Sequence, residues 1–181
     1  METATAKRPR RYGLYLALAF LLVVLTYVLA WNRANNLTSR FLAEAQASYQ
    51  QGRYLEALVG YESFDQRRNR HVYHGGYIQI EAIWDDTYAW PRYKGLKEVH
   101  SKIEEIIQHK LTLEEAESFV QTYTGKKNPY LGPVFVRLGE LYAQRGDKQT
   151  AKELLMEVRD LFPSDKDLIA KAEALIKTLG E

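Results

Sequence analysis

The side chains best suited to chemistry in this sequence are its histidines and two neighbouring carboxylates. His71 and His74 are three residues apart, and Asp85, Asp86 or His100 would add ligands if folding brought them close. Imidazole nitrogens and carboxylate oxygens together can hold zinc, iron or manganese. No third ligand stands at tight spacing, so the pattern favours solvent-facing histidines over a metal site. A metal-dependent hydrolase using His71, His74 and a carboxylate is the less favoured hypothesis.

Other catalytic chemistry has less support. Adjacent residues such as Asp85 and Asp86 point about 100° apart on a helix and do not face each other as paired catalytic acids do. The loop at 124–129, TGKKNP, lacks the spacing of a phosphate-binding loop. Cysteine is absent, which excludes disulfides and thiol catalysis. The sequence predicts a protein that is not an enzyme, with no cofactor and no small-molecule substrate.

Charge separates the first eleven residues from the rest of the chain. The 181 residues carry a net charge of +2, and 46% of them are apolar. Lys7, Arg8, Arg10 and Arg11 all precede a long apolar run. The chain after Trp31 has 21 basic and 22 acidic side chains, a mixture without the basic patch of a nucleic-acid-binding surface. We therefore expect no nucleic-acid partner.

A single transmembrane helix is predicted at residues 12–31, after a basic cytoplasmic tail at 1–11. The run YGLYLALAFLLVVLTYVLAW has no charged residue, and as a helix it would span about 30 Å of hydrocarbon. Aromatic residues at both ends suit the membrane interfaces. The basic tail favours a cytoplasmic N-terminus. The predicted location is the inner (cytoplasmic) membrane, with residues 32–181 on the periplasmic side.

A cleaved signal peptide is the alternative interpretation of the same run. Val28, Leu29 and Ala30 are small or modest residues that a signal peptidase would accept. However, the apolar run exceeds the usual core of such a peptide, about 7 to 15 residues. The length therefore favours an anchor that is not cleaved.

The clearest helical pattern lies near the C-terminus. Apolar residues recur at intervals of three and four on both sides of Arg145-Gly146-Asp147. Gly146 suits the left-handed backbone that ends a helix, and Asp147 can cap the next helix. Pro163 stops that helix, and Ser164 is placed to cap a last helix at 165–179. The pattern predicts a helical hairpin followed by a closing helix.

This hairpin resembles a tetratricopeptide repeat, a helical hairpin of about 34 residues. The resemblance near 132–165 is carried by Phe135, Leu138, Gly139, Tyr142, Ala151, Leu155 and Pro163. Gly139 and Ala151 are small enough for the two helices to approach closely. A weaker copy near 38–69 is carried by Phe41, Ala45, Gly52, Tyr54, Ala57 and Tyr61, and it departs from the pattern at Glu44, Ser48 and Phe64.

The divergent middle, residues 70–128, keeps a helical period without a family pattern. One predicted helix face comprises Tyr73, Tyr77, Ile80, Trp84 and Tyr88, and a second comprises Leu96, Val99, Ile103, Ile106 and Ile107. Thr112 and Glu115 form a capping box. The predicted fold is all-α: one N-terminal transmembrane helix followed by a short tetratricopeptide-like α-solenoid of helical hairpins with a C-terminal capping helix.

The resemblance implies a concave groove that binds a protein partner. The groove-facing positions it implies are Leu42, Ala43, Gln46, Tyr49 and Gln50 in the first repeat and Val136, Arg137, Glu140, Ala143 and Gln144 in the last. Trp90 and Tyr93, which flank Pro91, are candidates for exposed anchors of an interface. We expect a membrane-anchored scaffold that acts as an assembly factor or accessory subunit of a membrane complex. The alternative is a structural subunit held permanently in a larger complex by its single helix.

Overall fold

The computed structural model describes residues 9–85 and 89–180, and of residues 9–11 the backbone alone. Its longest element is α1, a helix of 42 residues from Pro9 to Gln50. It is the one helix in the described ranges that is long and apolar enough to cross a membrane. Side chains at 12–30 are exposed, and the first half-buried side chain of α1 is that of Trp31. The tail up to residue 8, Asp86 and Tyr88 lie outside the described residues.

The predicted anchor and the predicted first repeat therefore share one helix. No glycine or proline occurs between Trp31 and Gln50, so nothing in the backbone chemistry interrupts α1 where the apolar run ends. Gly52 then ends the helix, and α2 follows over Tyr54–Val59. With six residues, α2 is much shorter than the second helix of the predicted repeat.

A small β-hairpin follows α2, so the prediction of an all-α fold is wrong in this segment. Strand β1, Tyr61–Asp65, pairs antiparallel with β2, Arg70–His74, and Tyr61 lies opposite His74. The side chain of Asp65 accepts hydrogen bonds from the backbone N–H groups of two following arginines, which specifies the turn locally. Tyr61 and Tyr73, both predicted to be helical, lie in these strands.

The hairpin is held against α1 by close packing at its end. A side chain at Gly75 would meet the ring of Phe41, whose nearest carbon lies 2.1 Å from an ideal Cβ position. The carboxylate of Glu44 accepts a hydrogen bond from the Gly75 N–H at 2.8 Å. Gly75 is therefore needed because the chain passes directly over the aromatic ring.

Three short helices complete the middle of the chain. They are α3 at Tyr77–Trp84, α4 at Leu96–Glu105 and α5 at Leu113–Tyr123, and a π-helical turn at Ile106–Lys110 extends α4. Within the first predicted helix face, Tyr77, Ile80 and Trp84 are buried. The capping box of Thr112 and Glu115 at the start of α5 is confirmed.

The C-terminal helical pairs follow the sequence prediction closely. Helices α6 and α7 span Leu131–Gln144 and Lys148–Leu161, and α8 spans Lys166–Leu179. Gly146 has φ +93°, which a side chain would disfavour, and Asp147 accepts a hydrogen bond from the Thr150 N–H at 3.1 Å. The cap of α8 is Asp165 rather than the predicted Ser164, because its carboxylate accepts from the Leu168 N–H.

The apolar core has two parts that meet at α6. The larger part joins the end of α1 to α2, α3, α4 and α5 around residues such as Ala45, Ile80 and Ile103. The smaller part joins α6, α7 and α8 around Val136, Leu155 and others. Helix α6 contributes to both, so the folded domain is continuous from Trp31 to the C-terminal helix.

Candidate functional site

A cleft of about 410 Å³ lies between the last turns of α1 and the start of α4. We call it the α1–α4 cleft. Its lining residues are Leu42, Gln46, Tyr49, Gln50, Tyr77, Tyr93, Gly95, Glu98, Val99 and Lys102. Aromatic and aliphatic groups form its walls and polar side chains its rim, as in many ligand-binding sites.

The spacing of residues along two helices builds this cleft. On α1, Leu42, Gln46 and Tyr49 recur at intervals of four and three, which places them on one face. On α4, Glu98 and Lys102 are four residues apart and lie on its exposed or half-exposed side, while Val99 beside them is buried. Tyr77 comes from the first turn of α3. The cleft thus depends on α3 packing between α1 and α4.

Two of the lining residues, Tyr49 and Lys102, form a charged and aromatic cluster with Glu105. The Tyr49 hydroxyl donates a hydrogen bond to Glu105, and Lys102 Nζ donates to the same carboxylate at 2.7 Å. Lys102 Nζ also lies 4.6 Å from the centre of the Tyr49 ring, a cation–π arrangement. The hydrogen bond from Lys102 lowers the pKa of Glu105, and that same bond raises the pKa of Lys102. Both groups are therefore charged at neutral pH.

Tyr77 has a hydroxyl that is available to a ligand. The residue is 2% exposed and lines the cleft, and its hydroxyl makes no hydrogen bond with any described residue. Burial raises the pKa of Tyr77, so the hydroxyl is neutral and can donate a hydrogen bond. The hydroxyl oxygen is not one of the buried unpartnered side-chain atoms of the described residues, which are Arg53 Nε and Arg137 Nε, so it is open to the cleft. The arrangement is suited to holding a peptide carbonyl beside an apolar side chain.

The structure divides the ten predicted groove residues into two sets. Four of the five on α1 line the α1–α4 cleft: Leu42, Gln46, Tyr49 and Gln50. Ala43 is exposed elsewhere on α1. The five on α6 do not join this cleft, within the described residues, because α8 packs on that side of α6. Within the described residues, the two sets therefore do not line one common cleft.

The five positions on α6 have different environments. Val136 is fully buried in the smaller core, which corrects its assignment to a groove. Arg137 and Glu140 form an ion pair at 3.0 Å, and Lys171 of α8 reaches Glu140 at 3.3 Å. Ala143 is half-buried and Gln144 is exposed. These contacts attach α8 to α6 and cover part of that face.

A second concavity of about 710 Å³ lies between α4, α6 and the start of α8. His100, Glu104, Tyr130 and Arg137 are among its lining residues. Tyr130 donates a hydrogen bond to Glu81, and burial together with this bond raises the pKa of Tyr130 far above its ordinary value. Tyr130 thus serves as a neutral donor that ties α6 to α3.

The candidate metal ligands that the structure describes, which exclude Asp86, do not converge. His71 and His74 are three apart on β2, so their side chains lie on opposite faces of the strand. His74 contacts Glu44 at 3.3 Å and Ser63 at 2.8 Å, whereas His100 on α4 contacts Glu81 at 3.0 Å. Across residues 9–85 and 89–180, no group of three or more such side chains is arranged to hold a metal ion.

The two aromatic residues that flank Pro91 differ in exposure. Trp90 is 76% exposed. Tyr93, also predicted to be exposed, is half-buried, because its ring stacks on Trp84 at 6.3 Å and it forms part of the cleft wall. The contrast arises from tertiary packing, since both residues lie in the same short loop.

Comparison with known proteins adds no relative to this description. No protein-family model, curated protein or solved structure matches the chain. The geometry of the α1–α4 cleft and of α1 must therefore support any functional assignment.

Sequence reasoning missed the half of the cleft that comes from the divergent middle. Tyr77, Glu98 and Lys102 were not predicted as site residues, because no repeat pattern covers 70–128. One signal was present: Glu98 and Lys102 stand four apart on an amphipathic helix beside the apolar Val99. That spacing indicates a polar strip at the edge of a buried face, although it does not indicate which helix lies opposite.

Proposed function

We propose that this protein is a single-pass membrane protein whose domain outside the cytoplasm binds a segment of a protein partner in the α1–α4 cleft. Such a protein would serve as an assembly factor or accessory subunit of a membrane complex, built as a short tetratricopeptide-like set of helical pairs. One observation carries the proposal: the apolar span and one wall of the cleft belong to the same helix.

The shared helix gives the cleft a defined height above the membrane. At 1.5 Å per residue, Leu42 lies about 16 Å along α1 beyond Trp31, and Tyr49 about 27 Å. A helix of this kind bends little, so the cleft stays near the bilayer. This geometry supports a partner segment that itself lies close to the membrane surface, such as the first residues after a span of another membrane protein.

Contacts of Tyr27 and Trp31 support a retained anchor rather than a cleaved leader. Both side chains are hydrogen-bonded to the backbone of the loop at Trp90 and Pro91. Cleavage after Ala30 would cut α1 in its interior and remove Tyr27 from these contacts. The membrane helix is thus also part of the folded domain.

Orientation rests on the basic tail, which favours a cytoplasmic N-terminus and a periplasmic domain at the inner membrane. A reporter fused after Glu181 that is active on one side of the membrane alone tests this assignment. Activity of a cytoplasmic reporter at that position would overturn the proposed orientation and leave the cleft assignment to be tested separately.

The cleft chemistry supports a peptide ligand more than a small metabolite. Leu42, Val99 and the tyrosine rings offer apolar contact, while Gln46 and Gln50 carry amides that can both donate and accept. Lys102 and the Tyr77 hydroxyl are donors for backbone carbonyls or a carboxylate. An extended segment with one apolar side chain between exposed peptide groups would satisfy both kinds of surface.

Site-specific photo-crosslinking tests the proposed binding site. A photoreactive amino acid at Gln46 or Gln50 should give an adduct with one membrane-protein partner in intact cells. The matched control is Ala47, which is exposed on the same turns of α1 but does not line the cleft. Equal adducts from all three positions, or none from Gln46 and Gln50, would overturn the proposal.

A further inference from the structure

Trp90 is the most exposed large hydrophobic residue of the described chain, including the apolar part of α1. Its exposed fraction is 76%, whereas Trp84 nearby is 2% exposed. Exposing so large an aromatic surface to water is unfavourable by about 25 cal/mol per Å². A surface that covers Trp90 therefore needs to be identified, and its position relative to α1 indicates which surface that is.

The backbone of Trp90 is tied to the membrane-length part of α1. The Tyr27 hydroxyl accepts a hydrogen bond from the Trp90 N–H at 3.1 Å and donates one to the Trp90 carbonyl. Trp31 Nε1 donates to the Pro91 carbonyl at 2.9 Å. Tyr27 is four residues before the end of the apolar run, which is about 6 Å along the helix. The loop thus reaches the depth of the last turn of the span.

These hydrogen bonds meet a requirement of the membrane boundary. Backbone N–H and C=O groups that leave water must be paired, and a loop lacks the internal pairing of a helix. Here the N–H and C=O of Trp90 and the C=O of Pro91 are paired with side chains of α1. The exposed indole can then enter an apolar layer while its backbone remains satisfied.

Exposed positive charges accompany the tryptophan in the same loop. Arg92 and Lys94 are exposed, and so is Arg33 on the first turn of α1 after the apolar run. Within the described ranges, none of the three forms an ion pair. Tryptophan at the boundary of acyl chains and headgroups, with basic residues beside it, is a combination favoured at membrane interfaces.

We infer that the loop 89–94 is a second contact with the membrane, in which the Trp90 ring enters the headgroup boundary and Arg92 and Lys94 bind lipid phosphates. The ligand is the phospholipid surface of the bilayer that α1 crosses, so the inference rests on the proposed membrane anchor. It goes beyond anchoring, because two separate contacts fix the rotation of the domain about α1 and hence the direction in which the cleft faces.

Tryptophan fluorescence in vesicles with lipids brominated near the headgroup end of their acyl chains tests this contact. The full chain has three tryptophans, so two Trp→Phe substitutions leave one of them at a time. In the variant that keeps only Trp90, the brominated lipid should quench the fluorescence about as strongly as in the variant that keeps only Trp31. Trp84 alone, buried in the domain, should lose much less.

Comparing the three single-tryptophan proteins shows whether the lipid contact alone or the membrane anchor as well is wrong. Quenching of Trp31 but not of Trp90, with Trp90 instead quenched by iodide in water, would overturn the lipid contact and leave the anchor intact. Quenching of neither would overturn the membrane anchor and the lipid contact together. Protection of Trp90 from both quenchers would mean that protein covers it, and this also overturns the inference.

A second measurement avoids changes at the buried Trp84. The chain has no cysteine, so Lys94→Cys provides a single site for a nitroxide label in an otherwise unchanged protein. The accessibility of this label to oxygen and to a water-soluble relaxation agent should place it at the level of the lipid phosphates. The matched control is Lys127→Cys, an exposed position in the 125–129 loop outside the proposed contact, which should report bulk water. Equal accessibility of the labels at positions 94 and 127 would contradict the proposal.

Discussion

The hydroxyl of Tyr27 bridges the backbone N–H and C=O of Trp90, a residue 63 positions later in the chain. The membrane-length helix and the folded domain therefore meet in a specific contact, in addition to being covalently continuous. This contact lies at the end of the apolar run, where α1 passes from exposed to packed side chains.

Tyr27→Phe should loosen the Trp90 loop without unfolding the domain. The change removes the two hydrogen bonds to Trp90, each worth about 1 kcal/mol, and keeps the ring. Amide hydrogen exchange in 89–93 should accelerate by about fivefold to thirtyfold. Tyr15→Phe is the control, because Tyr15 is exposed and has no hydrogen bond in the described structure. Unchanged exchange in Tyr27→Phe would contradict the bridging role.

Asn36→Pro should uncouple the cleft from the span. Asn36 is exposed in the interior of α1, where proline removes a helix hydrogen bond and clashes with the preceding turn at a cost of about 3 kcal/mol. The midpoint temperature of thermal unfolding should fall, and the cross-link from Gln46 should be lost. Asn36→Ala should leave both unchanged. A cross-link that persists in the proline variant would mean that a rigid α1 is not required.

Two substitutions at Tyr77 should separate binding from folding. Tyr77→Phe removes the hydroxyl that has no partner, so stability should be unchanged while the yield of the cleft cross-link falls. Tyr77→Ala empties a buried site and should cost about 3–5 kcal/mol in the free energy of unfolding. Chemical denaturation and cross-linking yield measure the two effects. An undiminished cross-link in Tyr77→Phe would exclude the hydroxyl from ligand binding.

Gly139→Ala should destabilise the contact between α6 and α7. An ideal Cβ at Gly139 would lie 2.8 Å from Leu155 Cγ, and overpacking of this kind costs about 1–3 kcal/mol. Leu155→Ala alone should cost about 2–5 kcal/mol. The double variant should be more stable than the sum of the two losses predicts, because the added methyl occupies the vacated space. Additive losses would argue against direct contact.

The folded protein should become less stable in acid, because the carboxylate of Asp147 that caps α7 becomes protonated. Hydrogen bonds from Thr150 lower the pKa of Asp147 below its unfolded value of 3.8. The stabilisation is therefore fully present above the unfolded pKa and is lost as the pH falls through the lower folded pKa. Thermal unfolding followed from neutral pH into that acid range measures this loss. Asp147→Asn, which retains a capping oxygen without the charge, should lack this part of the pH dependence.

The groove predicted on α6 shows why site prediction from repeats was incomplete. The sequence correctly predicts that α6 and α7 approach closely at Gly139 and Ala151, because that contact depends on nearby residues. Whether the outer face of α6 stays open depends instead on where α8 packs. The chain returns over that face, buries Val136 and attaches Lys171 to Glu140. The apolar periodicity of α6 does not indicate that α8 will pack on its outer face.

The sequence by itself determined the membrane-length apolar run and the helices α6, α7 and α8. It did so because helix periodicity, the Gly146 turn and the Asp147 cap act within a few residues of one another. Tertiary structure alone decided the α1–α4 cleft, the docking of the hairpin over Phe41 and the hydrogen bonds between Tyr27 and Trp90. Each of these requires contact between residues more than thirty positions apart in the chain. Such contacts depend on how entire helix and strand faces pack together, which the local sequence pattern does not specify.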